Sequence, residues 1–498
     1  MGQPVERTYG NWRRPRSPGI GDLDLLGSGV LVAGIVVVII TVVAAGVIAA
    51  VVVMLLVGGF LTSTLMKDRH GQSGLQRVFL RAGWWWTRSG GSHVYRSGPL
   101  GRAKWGSFQL PGVLAKTKLG EYTDAWGQRF GVLEMPHRGH FAVVFAVEPD
   151  GDSLVDQEQQ DVWVARFGQY LNHLSDEPGV IAAAVTVETA PDTGRRLRDQ
   201  VQKSIDPNAP AIARQVLREV VDTYPAGSAE IRAWVTLTFS SELHNRRLGV
   251  DEFAEELKPR LRNIAEQLHG TGAGAAKALS AQEICELVRS AYDPDAARHI
   301  EDAKAQGVTP ALTWSNVGPA ATEASWDAYR HDGAVSVTWA MTGAPRGEVH
   351  SSILARLLAP SRQIARKRVS ILYRIIDPGV AARQVEADKR SADFRANGKR
   401  PSERALRDQR EAALTAQEEA RGAGLIDFGL LVTATVAGSD PQSLAVAQAT
   451  VENLAATARI TLRRCYGSQD SAFAGSLPLG LVLGEYLKVP KTVRKVTA

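Results

Sequence analysis

The longest uncharged apolar stretch of the sequence runs from residue 25 to residue 66 and reads LLGSGVLVAGIVVVIITVVAAGVIAAVVVMLLVGGFLTSTLM. It contains no Asp, Glu, Lys, Arg, His or Pro. A bilayer core about 30 Å thick is crossed by about 20 helical residues, so the stretch is about twice the length of one span. Tilt absorbs little of that excess. The stretch therefore predicts two spans joined by a very short turn, with the reversal at Ala44-Ala45-Gly46.

Basic residues flank this apolar stretch on both sides. They are Arg7, Arg13, Arg14 and Arg16 before it, and Lys67, Arg69, Arg77 and Arg81 after it. The positive-inside rule then predicts a hairpin in the bacterial inner (plasma) membrane, with both termini and the bulk of the chain in the cytoplasm. The apolar core of a signal peptide has only about 7–15 residues, which argues against a signal peptide here. One over-long helix is the alternative.

The cysteine content fits a cytoplasmic location. The chain has 498 residues, a formal net charge of +6 and two cysteines, Cys285 and Cys465, which lie far apart in the sequence. Two isolated cysteines are too few for a disulfide framework or for a cysteine-based metal site. A low cysteine content of this kind is typical of proteins in a reducing compartment.

Positive charge is concentrated just after the apolar stretch, where Asp68 is the one acid among ten Lys or Arg between residues 67 and 118. Basic side chains beside a span attract anionic lipid by about 1 kcal/mol each, and Trp prefers the headgroup level. Grooves for single-stranded nucleic acid also combine basic and aromatic residues. Position favours lipid, and the glycines predict an irregular surface segment. The candidate lipid-binding or nucleic-acid-binding residues are Lys67, Arg69, Arg77, Arg81, Trp84, Trp85, Trp86 and Arg88.

Beyond Lys118, apolar runs typical of strands alternate with amphipathic helical patterns. Strands are predicted over 141–147, 180–188, 230–240, 334–341, 367–376 and 426–437. The second three repeat the first three at offsets of roughly 190 residues, and each strand precedes a helix. The sequence predicts a membrane-anchored α/β protein, with an N-terminal two-helix transmembrane hairpin followed by two β-α-β-α-β-α cytoplasmic modules. Two modules explain the spacing better than one sheet of six strands. Whether they arose by duplication stays open.

The predicted boundaries divide the chain into six parts. These are a basic N-terminal tail (1–24), the transmembrane hairpin (25–66), a basic Trp-rich juxtamembrane segment (67–130), the first α/β module (131–270), a helical connector (271–330) and the second α/β module (331–498). The charged stretch 378–421 predicts a helical hairpin that projects from the second module. Mixed charge of this kind indicates either a solvated surface or a docking arm.

No motif for catalysis, a cofactor or a metal is recognised. The stretch GTGAGAAKAL (270–279) lacks Gly-Lys-Ser/Thr and follows a predicted helix, whereas a phosphate loop links a strand to a helix. His137 and His140 have no carboxylate or thiol at ligand spacing. The patterns G-x-S-x-G and H-E-x-x-H are absent from the sequence. The sequence thus predicts a protein without catalytic activity and without a cofactor.

Two segments resemble components of conjugative type IV secretion systems. The first hundred residues, with Arg14-Pro15-Arg16-Ser17-Pro18-Gly19-Ile20 ahead of the apolar stretch, resemble the small VirB-type inner-membrane hairpin subunit. The remainder resembles the N-terminal, non-motor half of the TrbE/CagE-class conjugation ATPase. This likeness rests on the helical hairpin, the 424–438 strand, Ser439-Asp440 opening a helix, and FAGSLPLG at 473–480. The chain also resembles an actinobacterial family of integral membrane proteins associated with conjugation. Both Walker motifs and the motor domain of the ATPase are absent.

This resemblance implies a non-enzymatic inner-membrane scaffold that anchors or docks a separate conjugation ATPase and contacts other secretion-channel subunits. In the single-chain relatives the motor follows the Leu-Pro-Gly-like element, which makes the apolar tail a candidate docking surface. Its residues are Leu477, Leu479, Leu481, Leu483 and Tyr486. Alternatively, the tail folds back on its own module. Two other functions stay open, a type VII secretion membrane component and a membrane-tethered DNA-binding protein.

Overall fold

A computed structural model describes residues 8–10, 12, 25–65, 68, 70–72, 74–98, 101, 108–151, 155–191, 201, 203–206, 208–223, 229–243, 246–345, 347–397, 402–422, 424–438 and 440–486. Its helices are α1 (Leu25–Leu65), α2 (Gly74–Ser89), α3 (Gln157–Asp176), α4 (Ala211–Thr223), α5 (Val250–Leu268), α6 (Ala281–Tyr292), α7 (Pro294–Ala305), α8 (Ala355–Leu358), α9 (Pro378–Ala396), α10 (Glu403–Ala420), α11 (Pro441–Thr457) and α12 (Gln469–Ser476). Its strands are β1 (Val94–Arg96), β2 (Lys118–Thr123), β3 (Arg129–Met135), β4 (His140–Glu148), β5 (Val180–Pro191), β6 (Ala229–Ser240), β7 (Glu242–Leu243), β8 (Arg246–Arg247), β9 (Ala275–Ala278), β10 (Ala321–Ala324), β11 (Tyr329–His331), β12 (Ala334–Gly343), β13 (Arg366–Ile375), β14 (Ile426–Ala437) and β15 (Thr461–Arg464).

The predicted pair of separate transmembrane helices is corrected: the apolar stretch is one helical element, α1, interrupted at Gly46. Within α1, Gly46 departs from helical geometry, with φ 86° and ψ 175°. Only a residue without a Cβ adopts that backbone readily, so the helix bends there. A Cβ built on Gly34 would lie 2.5 Å from Cγ1 of Val57, whereas about 34 Å would separate the two residues along a straight helix. The arms of α1 before and after Gly46 therefore fold back on each other. The break at Gly46 lies within the reversal predicted at Ala44-Ala45-Gly46.

The prediction of two separate α/β modules is also wrong. Over the described residues, one antiparallel sheet of 13 strands dominates, in the order β1-β10-β11-β12-β14-β13-β5-β6-β4-β3-β2, with β15 added on β12 and β9 on β4. The pairing of β5 with β13, from Lys367 opposite Thr189 to Arg374 opposite Ala182, joins the two predicted modules. The sequence pattern identified the strands but not their partners, because buried strands read alike whichever strand they pair with.

The sheet repeats one arrangement on either side of the β5–β13 pair. One side runs β4, α3, β5, α4, β6, α5, β9, α6 along the chain, and the other runs β12, α8, β13, α9–α10, β14, α11, β15, α12. In space the strands are ordered β4-β6-β5 on one side and β12-β14-β13 on the other. The repeated order seen in the sequence is thus a property of one continuous sheet.

The six predicted strands are confirmed as β4, β5, β6, β12, β13 and β14. Nine further strands among the described residues were not predicted: β1, β2, β3, β7, β8, β9, β10, β11 and β15. Short strands such as β9 (AAKA) and β10 (ATEA) have little apolar content, and they form by adding to strands already in place. The predicted helical connector therefore holds β9 and β10 as well as α6 and α7.

The chain after α12 crosses the face of the sheet and closes the core. The Oγ1 atoms of Thr236 and Thr238 donate hydrogen bonds to the carbonyls of Pro478 (3.1 Å) and Gly480 (2.9 Å). A Cβ on Gly480 would lie 2.5 Å from Thr238 Oγ1, and φ of Gly480 is 70°, so this close crossing requires glycine. Leu479 is fully buried beneath the segment.

Charged side chains lie buried where β5 meets β13. One oxygen of Glu188 accepts a hydrogen bond from Arg366 (2.9 Å), and the other accepts one from Arg368 Nε (2.9 Å). Burial opposes ionisation of Glu188, but Arg368 and Arg366 outweigh it and hold the pKa of this carboxyl below its usual value. Removing one partner of such a buried cluster costs about 3–5 kcal/mol, because a charge is left uncompensated.

Replacing Leu479 by Ala tests whether the tail is core. A buried Leu→Ala change costs about 2–5 kcal/mol, so the thermal midpoint of the full chain in detergent should fall clearly. Leu483→Ala is the matched control, since Leu483 is only partly buried. Equal shifts in the two variants would contradict the buried position of the tail.

The buried His331 makes stability depend on pH. Its ring nitrogens contact the Tyr292 carbonyl (2.5 Å) and Ser336 Oγ (2.7 Å). Burial lowers its pKa to about 4, and Arg368 and Arg366 add to the effect, while Tyr292 and Asp293 oppose it. As the pH falls, His331 is therefore protonated in the unfolded chain before it is protonated in the folded chain. Neutral, buried His331 contributes fully to the free energy of unfolding above about pH 6.5. Between pH 6.5 and pH 4 that free energy falls by about 3 kcal/mol.

Thermal melts between pH 7 and pH 4 measure this contribution. The slope of the melting temperature with pH should flatten in His331→Gln. His137→Gln, at an exposed position, should keep the slope of the parent. An unchanged slope in His331→Gln would show that other groups set the pH dependence.

Candidate functional site

The candidate site is built on α2, which directly follows the apolar helix in the chain. The sequence predicted an irregular surface segment here because of its glycines, but residues 74–89 form a helix. The glycines at 90, 91, 98 and 101 lie after this helix, in mostly irregular chain. One glycine inside a helix, Gly83, costs only about 1 kcal/mol relative to Ala. The helix ends where Gly91 adopts a positive φ of 67°.

One face of α2 exposes large apolar side chains to solvent. Val78, Phe79, Trp85 and Trp86 are 61%, 68%, 66% and 77% exposed. Counted from Val78, the other three lie one, seven and eight positions further along the helix, so all four fall on one side of it. Exposed aromatic residues gathered on one helix face mark a surface that contacts another apolar phase or partner.

The opposite face of α2 contacts the sheet domain through Trp84. Its ring packs edge-on against Trp326, with ring centroids 5.4 Å apart. The guanidinium carbon of Arg88 lies 5.3 Å from the Trp84 ring centroid, in cation–π contact. The three consecutive tryptophans are thus divided, one held inward and two presented outward.

The structure brings six of the eight predicted lipid-binding or nucleic-acid-binding residues onto this one helix: Arg77, Arg81, Trp84, Trp85, Trp86 and Arg88. The remaining two, Lys67 and Arg69, lie outside the described residues. Arg77, Arg81 and Arg88 are exposed. An apolar face with arginines on the other side of the helix is the pattern of a helix that lies in a membrane interface.

The predicted docking residues of the tail do not form an exposed surface. Leu477, Leu479 and Leu481 are buried in the core, and Leu483 and Tyr486 pack against it. Arg138 covers the Tyr486 ring, with its guanidinium carbon 4.8 Å from the centroid. This placement agrees with the alternative that the tail folds back on its own domain.

Sequence reasoning missed a groove between α2 and the sheet edge formed by β15 and α11. Its volume is about 930 Å³, and it is lined by Arg77, Arg81, Trp326, Trp339, Arg463 and Tyr466, among others. Burial lowers the pKa of Arg463; Cys465, Tyr466 and Asp68 oppose this shift, and the nearby charge of Arg77 adds to it. The adjacent Arg463 and Arg464 were the available signal, but they lie almost 400 residues from α2 in the sequence.

Residues that precede α1 also contact the sheet domain. The backbones of Tyr9 and Val349 exchange two hydrogen bonds, of 2.8 and 2.9 Å. Tyr9 also donates from its hydroxyl to Asp161 Oδ1 (2.9 Å), and Trp12 packs edge-on against Phe428 at 5.7 Å. The chain on both sides of α1 therefore lies on the same domain.

The Gly-rich stretch after α5 does not have phosphate-loop geometry. It joins α5 to β9, a helix to a strand, and Lys277 forms an exposed salt bridge with Glu283 (3.2 Å). Burial raises the pKa of Cys285 and of Cys465 to about 12, so both thiols stay protonated near neutral pH. Over the described residues, no group of three or more His, Cys, Asp or Glu is placed to hold a metal.

Within the described part of the chain, one helix is long and apolar enough to cross a membrane, at Leu31–Phe60 inside α1. Only 6% of its most apolar window is buried. By length and composition it suits a membrane anchor or a signal sequence.

A family model described as a domain of unknown function (DUF8461) matches residues 16–76. The match covers the apolar helix and the residues on either side of it, and leaves the sheet domain outside. No curated protein matches the chain.

Proposed function

We propose that this chain is a non-enzymatic, membrane-anchored scaffold of a conjugative (type IV) DNA-transfer system in the bacterial inner membrane. Anchoring in a membrane is supported by two apolar surfaces that follow each other in the chain: the exposed helix α1 and the outward face of α2. A soluble protein has no reason to expose so much contiguous apolar surface, whereas a bilayer covers it.

In this proposal α2 lies flat at the membrane surface. Val78, Phe79, Trp85 and Trp86 enter the boundary between headgroups and acyl chains, and Trp84 holds the sheet domain on the other side of the helix. Arg77 and Arg81 reach toward lipid phosphates, with an attraction of about 1 kcal/mol each. The helix thereby fixes the orientation of the domain relative to the bilayer.

We also propose that both termini and the sheet domain are cytoplasmic. The Tyr9–Val349 pairing supports a common side, because it holds the residues before α1 on the domain that follows α1. The basic residues around the apolar stretch favour the cytoplasmic face.

The assignment to conjugation rests on the sequence resemblance, which implies that a separate ATPase docks on this scaffold. Because the tail leucines are buried, we move the proposed docking site to the α9–α10 pair. Near the C-terminal end of α9, Phe394 is 84% exposed. Exposed aromatic residues are the usual anchors of protein interfaces.

Cysteine labelling tests the position of α2. Phe79→Cys and Trp86→Cys, in a Cys465→Ser background, should resist a membrane-impermeant maleimide in native vesicles and react in detergent. Thr87→Cys, on the opposite face of α2, should react in both conditions. Equal labelling of all three positions in vesicles would show that the apolar face does not enter the bilayer.

Affinity purification from the native host tests the partner. An ATPase with Walker motifs should co-purify with the full chain in mild detergent. Phe394→Ser should remove most of it, because loss of a central aromatic anchor commonly costs 2 kcal/mol or more, about thirtyfold in affinity. Lys389→Ser is the control at an exposed position of the same helix.

The outcomes separate the two parts of the proposal. Equal recovery of the ATPase with both variants would contradict docking on α9 but keep the scaffold. Absence of any ATPase from the purified material would overturn the conjugation assignment. Small WXG-type secreted proteins in its place would indicate a type VII component.

A further inference from the structure

We propose that the groove beneath α2 binds the phosphate of an anionic phospholipid headgroup. This inference rests on the anchoring part of the proposed function and is independent of conjugation and of any ATPase. It concerns residues of β15, α11 and the β10–β11 turn that lie far from α2 in sequence and meet it only in the folded chain.

Positive charge dominates the lining of the groove. Four arginines, Arg77, Arg81, Arg463 and Arg464, face two carboxylates, Asp68 and Glu452. Arg464 is paired with Glu452 at 2.9 Å. No salt bridge joins Arg77, Arg81 or Arg463 to another described residue. Arg463 lies near the opposite charge of Asp68 and, with a smaller effect, near the like charge of Arg77. Like charges gathered in a groove are stabilised by a bound anion.

The aromatic residues of the groove contribute a hydrogen-bond donor and a flat stacked surface. Trp326 stacks on Tyr466 with ring centroids 5.7 Å apart, and Arg463 lies over Tyr466 at 5.6 Å. Trp339 is 1% exposed, and its indole N–H has no hydrogen-bond partner among the described residues. A buried donor without a partner costs about 1–3 kcal/mol, so an acceptor that reaches it is favoured. Phosphate oxygens are such acceptors.

The position of the groove favours a lipid over a nucleic acid. One wall of the groove is α2, whose other face is the apolar surface of Val78, Phe79, Trp85 and Trp86. If that face enters the bilayer, the groove opens at the depth of the headgroups and the acyl chains lie beside the helix. A polyanion approaching the same groove would be repelled by the acidic lipids around it.

Native mass spectrometry of the full chain in detergent measures this binding. The probes are phosphatidylglycerol, phosphatidylcholine, inorganic phosphate and a thymidine oligonucleotide. We expect phosphatidylglycerol to bind at least about tenfold more tightly than phosphatidylcholine, because its headgroup has no compensating positive charge. Millimolar inorganic phosphate should not displace it, since phosphate lacks the acyl chains that contact α2.

Three variants locate the site. Arg463→Gln and Arg81→Gln should each weaken phosphatidylglycerol binding about tenfold, since a hydrogen bond to a charged group contributes about 1.5–3 kcal/mol. Arg81 is exposed, so its variant reports on binding even if Arg463→Gln folds poorly. Glu452→Gln should strengthen binding, because it removes a negative charge and releases Arg464. Arg383→Gln, exposed on α9, is the matched control and should leave binding unchanged.

Four results would overturn the proposal. They are equal affinity for the two lipids, unchanged phosphatidylglycerol binding in both arginine variants, displacement by free phosphate, and tighter, Arg463-dependent binding of the oligonucleotide. The third would assign the groove to a soluble phosphate, and the fourth to nucleic acid. None of these results depends on whether an ATPase co-purifies, so the failure of this inference and of the conjugation assignment are distinguishable.

Discussion

The pairing of β5 with β13 is the contact on which the rest of the structure depends. It joins strands almost 190 residues apart in the chain into one sheet, and every other strand of that sheet is placed outward from it. Glu188 on β5, held by Arg366 and Arg368 of β13, lies buried at this junction. Burying one carboxylate with two guanidiniums gains little net stability but disfavours other registers, because any slip leaves charges unpaired.

The second constraint is the crossing of the sheet by the chain after α12. The Thr236 and Thr238 hydroxyls hold the Pro478 and Gly480 carbonyls, so this irregular segment satisfies its backbone groups on the sheet face. Leu477, Leu479 and Leu481 fill the space between this segment and the sheet. The same residues cannot serve both as core and as an open docking surface, which is why the proposed partner site is on the α9–α10 pair instead.

The proposed orientation toward the membrane follows from which side chains lie on each of the two faces of α2. Trp84 packs against Trp326 and holds the helix on the domain, while Trp85 and Trp86 point away from it. In the proposed placement, the apolar helix, the outward aromatic face and the arginine-lined groove follow one another from the bilayer interior to its surface. Each layer of a lipid meets a protein surface of matching chemistry in this arrangement, from acyl chain to phosphate.

Sequence patterns identified the elements whose signal is local. The apolar stretch, the six long strands and the helices α3, α5 and α11 were readable because hydrophobic periodicity and capping residues act within a few turns of chain. The pairing of β5 with β13, the burial of the tail leucines and the approach of Arg463 to Arg77 across a groove are visible only in the folded chain. These are relations between residues distant in the chain. A single sequence carries the periodicity of each segment but not the identity of the segment that it packs against.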